Sequence, residues 1–214
     1  MRILLLLLFA TSAFSAPVAE IREVTKKSYA AGIDTNAVVV FDVSWGRKWN
    51  CGGYENAELM SIAFDRFTGE VRTDDAKPDL VVVGPARLTR TPRFLNYGFL
   101  LPPGQYALSG FRIKVARSVS DVGYLTAKRS DLIKAGKAEG GTFTVAAGEI
   151  VYIGNFFLDC LNGPVLWRYY SEGKKGFEAQ VAEYRAKYAF TELARFKYRL
   201  FKSTLFGTDY ELPE

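Results

Sequence analysis

Two cysteines and three tryptophans carry most of the chemistry this sequence offers. Trp45 and Trp49 precede Cys51, with Tyr54 just after it; Trp167, Tyr169 and Tyr170 follow Cys160. An even cysteine count behind an export signal predicts a Cys51–Cys160 disulfide. Both cysteines stand in turn-rich loops, Cys51 before Gly52-Gly53 and Cys160 before Asn162-Gly163-Pro164. The competing state is two buried free thiols packed as small apolar groups. A bridge brings both loops to one end of the fold and gathers six rings around it. Flat rings with Asn50, Asn56, Asn162, Arg47 and Arg168 nearby suit a sugar ring or a peptide segment. The alternative is that the same rings cover the disulfide and cap the core.

The remaining chemistry is mostly excluded. The chain has no histidine, which removes Ser-His-Asp and Cys-His catalysis and any histidine metal site. No glycine-rich phosphate loop is present. The acidic stretch Thr73-Asp74-Asp75-Ala76-Lys77-Pro78-Asp79 lacks the alternating oxygen ligands and central glycine of a calcium loop and reads as a solvated loop. No catalytic residue, metal ligand or cofactor is therefore assigned, and the chain reads as a non-enzyme. A carboxylate pair for glycoside hydrolysis stays open as the alternative, although nothing singles out two of the Asp and Glu residues. The net charge of +5 is too small to point to nucleic acid.

Four segments follow from composition. Met1-Arg2, the apolar run Ile3 to Ala10 and the small residues before Pro17 make residues 1–16 a secretory signal peptide; the run is short of the roughly 20 residues a membrane span needs. Residues 17–36 read as a polar leader. Residues 37–170 carry strand patterns, and 171–214 a helix and a basic, aromatic tail. Export places the protein in the periplasm, or outside the cell.

Within 37–170, Ala37 to Trp45 alternates with Val39, Phe41, Val43 and Trp45 on one face. Leu59 to Phe67 follows, with Met60, Ile62 and Phe64 on one side. Leu100 to Val115 reads strand, turn, strand. Pro103 presets φ and Gly104 takes the positive φ of a type II turn. The large residues change sides near Gly110, which predicts a bulge at Ser109-Gly110. Thr142 to Leu158 reads as a hairpin about Gly148, and Ser130 to Ala135 as a helical turn capped by Ser130. After Gly176, Phe177, Val181, Tyr184 and Tyr188 recur at helical spacing. Residues 191–206 fit a strand or a helix, with the strand favoured. The fold class expected is mainly β: a two-sheet antiparallel sandwich of about seven strands with a C-terminal α-helix.

The phrases Leu100-Leu101-Pro102-Pro103-Gly104-Gln105-Tyr106-Ala107-Leu108 and Gly141 to Phe156 resemble a set of bacterial exported domains of unknown function with a prealbumin-like sandwich. The turn also looks like that of carboxypeptidase regulatory-like domains. The resemblance covers roughly residues 37–158. It implies a binding or envelope-structural module and supplies no catalytic residue. The partner classes expected are an envelope glycan, peptide or protein. A third reading is an anionic membrane surface met by the Arg- and Lys-rich tail from Tyr184 to Lys202.

Overall fold

A computed structural model describes residues 21–70, 72–85, 92–169 and 173–206. The expected signal peptide lies outside these residues. In chain order the strands are β1 (Arg22–Glu23), β2 (Ala37–Trp45), β3 (Arg47–Cys51), β4 (Tyr54–Arg66), β5 (Leu80–Val83), β6 (Arg93–Leu101), β7 (Gly104–Ala116), β8 (Val122–Ala127), β9 (Ile133–Lys134), β10 (Lys137–Ala138), β11 (Thr142–Val145), β12 (Ile150–Asp159), β13 (Val165–Tyr169) and β14 (Phe196–Tyr198). The helices are α1 (Lys26–Gly32), α2 (Arg129–Leu132) and α3 (Gly173–Lys187).

Two six-stranded sheets form the sandwich. The first runs β1-β6-β2-β12-β13, with β14 also on β12; the second runs β11-β7-β4-β3, with β5 on β4 and β8 on β7. A mainly β sandwich with a C-terminal helix is thus found as expected, with two corrections: its two sheets hold twelve strands where about seven were expected, and one sheet is not wholly antiparallel. The first sheet is mixed, because β12 runs parallel to both β2 and β14. A parallel neighbour buried on both faces suits an uninterrupted apolar strand, and all nine residues of β2 are buried. Val39, Phe41, Val43 and Trp45 face the space between the sheets. Val38 and Val40 face the other way, into a second core with Tyr29 and Ile33 of the α1 segment and Tyr184 and Tyr188 of the α3 segment. Helices α1 and α3 therefore make a third layer on the first sheet.

The residues read as a leader help build that layer. Thr25 caps α1 reciprocally: Ser28 N–H donates to Thr25 Oγ1 at 3.1 Å and Thr25 N–H to Ser28 Oγ at 2.8 Å. Seven residues give too short a period to stand out against Lys26-Lys27. Both turns that the sequence marks are real, but neither closes a hairpin. Pro102-Pro103 carries the chain from β6 in the first sheet to β7 in the second, and Ala146 to Glu149 carries it back from β11 to β12. Gly104 adopts φ +150°, away from the type II value, and Gly148 adopts φ +80°. The Gly148 N–H donates to the carbonyls of Ile33 and Asn36, which fastens the crossing to the end of the α1 segment.

The Ser109 bulge is present: Ala63 pairs with Gly110 and Phe64 with Leu108, leaving Ser109 without a partner. A second irregularity falls at Met60, which puts Leu59 in the core in its place, while Ile62 and Phe64 are buried on the side expected. The segment read as a loop around Cys51 is a hairpin, β3 to β4. Gly52 and Gly53, at φ +54° and +85°, form its tip, since both central positions of this tight turn need positive φ. Helix α2 begins one residue earlier than expected. Ser130 does not cap it, and its hydroxyl donates to Asp74 at 2.7 Å. Nor is the acidic stretch from Thr73 to Asp79 merely solvated. Buried Arg129 donates to Asp65 and to the Thr73 and Asp74 carbonyls, so the loop is tied to the second sheet.

The tail completes the sandwich. Its backbone follows β12 through β14, and Phe201 enters the core between the sheets. Arg195 pairs with Asp34 and Glu192, and Arg199 with Glu149. The guanidinium of Arg199 holds the Glu149 carboxyl below its usual range.

Candidate functional site

The Cys51–Cys160 disulfide is formed, with a Cα–Cα distance of 4.5 Å. It joins the end of β3 to the residue after β12, and so staples the second sheet to the first. The loops on either side are in backbone contact. A Cβ placed on Gly52 would lie 2.3 Å from the Gly163 Cα, and Gly52 has a positive φ as well. Glycine at position 52 is what lets the two segments meet, whereas a Cβ on Gly163 would meet nothing within 4 Å.

Beside this contact lies an open cleft of about 740 Å³. Tyr54 and Trp167 supply its rings, Asp159 and Asn162 its polar side chains, and Leu125, Leu161, Pro164 and Val165 its apolar walls. The elements explain the placement. Tyr54 is the first residue of β4 and pairs with Cys51; Trp167 pairs with Phe157 across β12 and β13. The Arg117 guanidinium lies 4.8 Å from the Tyr54 ring centre and covers one face of it. Lys48 reaches over the Phe157 ring at 4.8 Å. Burial pushes the Lys48 ammonium down, and the charge of Asp159 opposes that shift.

Of the six rings expected around the bridge, two line the cleft. Trp45 is core: it is buried, and its indole N–H donates to the Tyr97 hydroxyl at 2.7 Å. Inward placement follows from the alternation of β2, which points it the same way as Val43. Trp49 is exposed on β3, with Arg47 stacked 5.5 Å from its ring centre, outside the cleft lining. Tyr170 and the side chain of Tyr169 lie outside the described residues. Of the flanking polar residues, Asn162 reaches the cleft, whereas buried Arg168 donates to the Phe201 carbonyl at 2.8 Å. Sequence reasoning missed Asp159 and Leu125. Asp159 adjoins Cys160, a usable signal, while Leu125 arrives from a strand that no local pattern ties to the disulfide.

A second polar group lies under α3. Asp42 is buried on the outer face of β2 and accepts from Asn96 on β6 and from Gln180 on α3. Burial raises its carboxyl from an ordinary 3.8 to about 6, against the pull of the Asn96 hydrogen bond. A buried carboxyl of this kind can mark an active site. Here the carboxyl is engaged by Asn96 and Gln180, and the small recess of about 10 Å³ beside α3, lined by Val38, Val40, Tyr184 and Tyr188 among others, does not include Asp42. The consequence is for stability. A raised pKa means the folded state holds the proton more tightly than the unfolded chain. Asp42 therefore favours folding below about pH 4, and that advantage disappears as pH rises to about 6. Between pH 7 and pH 4 the stability of the wild type should gain on that of Asp42→Asn by about 2–3 kcal/mol. Paired urea titrations across that range test this; a difference that does not move with pH would show that Asp42 titrates normally.

The fold and the cleft together define a β-sandwich with a ligand-sized recess at one end and a helical layer on one face. No family model, curated protein or solved structure matches the chain. Among the described residues no helix is long and apolar enough to cross a membrane.

Proposed function

We propose that this protein is an exported, periplasmic binding module of the prealbumin-like sandwich kind, and that it takes a sugar ring of an envelope glycan in the cleft beside the disulfide. The observation that carries the reading is the pairing of Trp167 and Tyr54 with Asp159 and Asn162 in one recess of about 740 Å³. Ligand sites are commonly recesses of roughly 300–1,000 Å³ with a few polar groups that orient the bound molecule. A ring offers its apolar C–H face to an indole and its hydroxyls to a carboxylate and an amide, which is the inventory present. The disulfide fits an oxidising compartment. An enzymatic reading through carboxylates needs two of them flanking the scissile bond, and Asp159 is the one carboxylate among the described lining residues.

Calorimetry with soluble N-acetylglucosamine oligomers tests the proposal. Binding should weaken at least about tenfold in Trp167→Ala, since a stacked aromatic anchor is worth on the order of 1.5 kcal/mol or more. Full affinity in that variant, or no affinity for any oligomer in the wild type, would remove the sugar reading. Glycan cleavage lost in Asp159→Asn would replace it with the enzyme.

A further inference from the structure

The disulfide end carries a second feature, which borders the cleft and shares Leu161 with its wall. Three turns meet there: the Gly52-Gly53 hairpin tip, the 117–121 turn between β7 and β8, and the loop after Cys160. Two of them hold an aliphatic side chain out into water. Val119 is 97% exposed and Leu161 83%. The backbone beneath Val119 is organised, with Arg117 N–H donating to the Asp121 carbonyl at 2.9 Å and Asp121 N–H to Ser118 Oγ at 3.0 Å. The turn therefore presents its valine on an ordered support.

Behind these tips, on the outer face of the second sheet, lie two exposed rings with cations laid over them. Arg47 sits over Trp49, and Arg112 over Tyr124 at 3.9 Å. The sheet register makes this one surface: Arg47, Glu58, Lys114 and Tyr124 form a single row across four strands. Unlike the outer face of the first sheet, this face packs against neither α1 nor α3 in the second core. Its described cations are Arg47, Arg112 and Lys114, with Arg117 at its rim. Of the described carboxylates, Glu58 in the same row is buried, and Asp121 at the rim pairs with Arg117 at 3.8 Å.

We propose that this end of the sandwich docks on an anionic lipid bilayer, with Val119 and Leu161 entering the acyl boundary and the Trp49 and Tyr124 rings resting with their arginines at headgroup depth. Isolated aliphatic tips suit a fluid surface that closes around each one, whereas a folded protein partner needs a continuous fitted patch. Aromatic rings and long cationic side chains are the groups that favour the water–lipid boundary. A soluble acidic polysaccharide would use the cations but leave Val119 without a role.

The test is co-sedimentation of the mature chain with phosphatidylcholine vesicles, with and without about a third of phosphatidylglycerol. Binding should require the anionic lipid and fall with added salt. Val119→Asp should weaken it roughly tenfold, and Val119→Leu should preserve it. Arg47→Gln with Arg112→Gln should weaken it by about tenfold or more. Far-ultraviolet circular dichroism should be unchanged in all of them, because the altered side chains are exposed or half-exposed. Absence of binding to anionic vesicles, or a Val119→Asp protein that binds as wild type, would overturn the proposal. So would salt-sensitive binding to alginate that displaces vesicles and ignores Val119→Asp, which would make the surface an acidic-glycan site. None of these arms uses the N-acetylglucosamine oligomers that report on the cleft, so either reading can fail alone.

Discussion

Replacing Cys51 and Cys160 together with Ala should lower the unfolding free energy by on the order of 4 kcal/mol. The bridge spans 109 residues. In the chain-entropy account, a closed loop of about 100 residues restrains the unfolded chain by about 4–5 kcal/mol, from which native strain subtracts. The position of the bridge adds a second effect. It joins the ends of two sheets that otherwise meet there through packing, and it holds the Gly52 and Gly163 backbones against one another. Without it the two loops should separate, and the cleft between Tyr54 and Trp167 should lose its shape before the sandwich unfolds. Guanidinium titration of the oxidised wild type against the double Ala variant checks the first effect, and oligomer binding checks the second. A midpoint shift equivalent to under about 1 kcal/mol would mean that packing alone holds the two sheets at this end.

Local chemistry made much of this fold legible. Alternation placed Val39, Phe41, Val43 and Trp45 on one face, and a glycine where large residues change sides located the Ser109 bulge, because both signals arise from neighbours along one strand. What could not be read is which strand pairs with which. Pro103-Gly104 and Gly148 announce reversals, but a reversal within a sheet and a crossing between sheets use the same residue types. The parallel pairing of β12 with β2 joins residues more than 100 positions apart and leaves no local mark. The candidate site shows the same division. Cysteine count and compartment predicted the bridge, and the bridge predicted that aromatic loops meet. Which rings face the recess depended on strand direction, and that sent Trp45 inward and Trp49 out onto the sheet face. Polar strands such as β3, with Arg47, Lys48 and Asn50, hid their alternation because little of their surface is apolar.

The tail forms the edge strand that its alternation suggests, β14 on β12, but Phe201 carries the segment on into the core. Alternating cations and rings over 195–200 suit an edge strand guarded by charge, and a tail of that kind could be removed harmlessly. In the fold, Phe201 is buried between the sheets, 5.3 Å from the Phe156 ring centre and 6.2 Å from that of Phe64. Its N–H donates to the Ile153 carbonyl, while Lys202 exchanges two backbone hydrogen bonds with Thr142 of the second sheet, at 2.7 and 2.9 Å. This one segment therefore pairs with both sheets and fills the space between them. Gly141 shows how closely it fits, since a Cβ there would stand 2.5 Å from the Phe201 ring. Phe201→Ala should cost about 3–5 kcal/mol, the usual range for emptying a buried phenylalanine site, with Phe201→Leu nearer the size of a conservative core exchange. Ending the chain before Phe190 removes the ring, β14 and the Arg199–Glu149 pair together, and should leave no soluble folded protein against the typical total stability of roughly 5–15 kcal/mol. Thermal melts of the two point variants, with the yield of soluble truncated protein, decide the matter. A truncated chain that melts cooperatively near the wild-type temperature would show that the sandwich closes without the tail, and that Phe201 covers a core already complete.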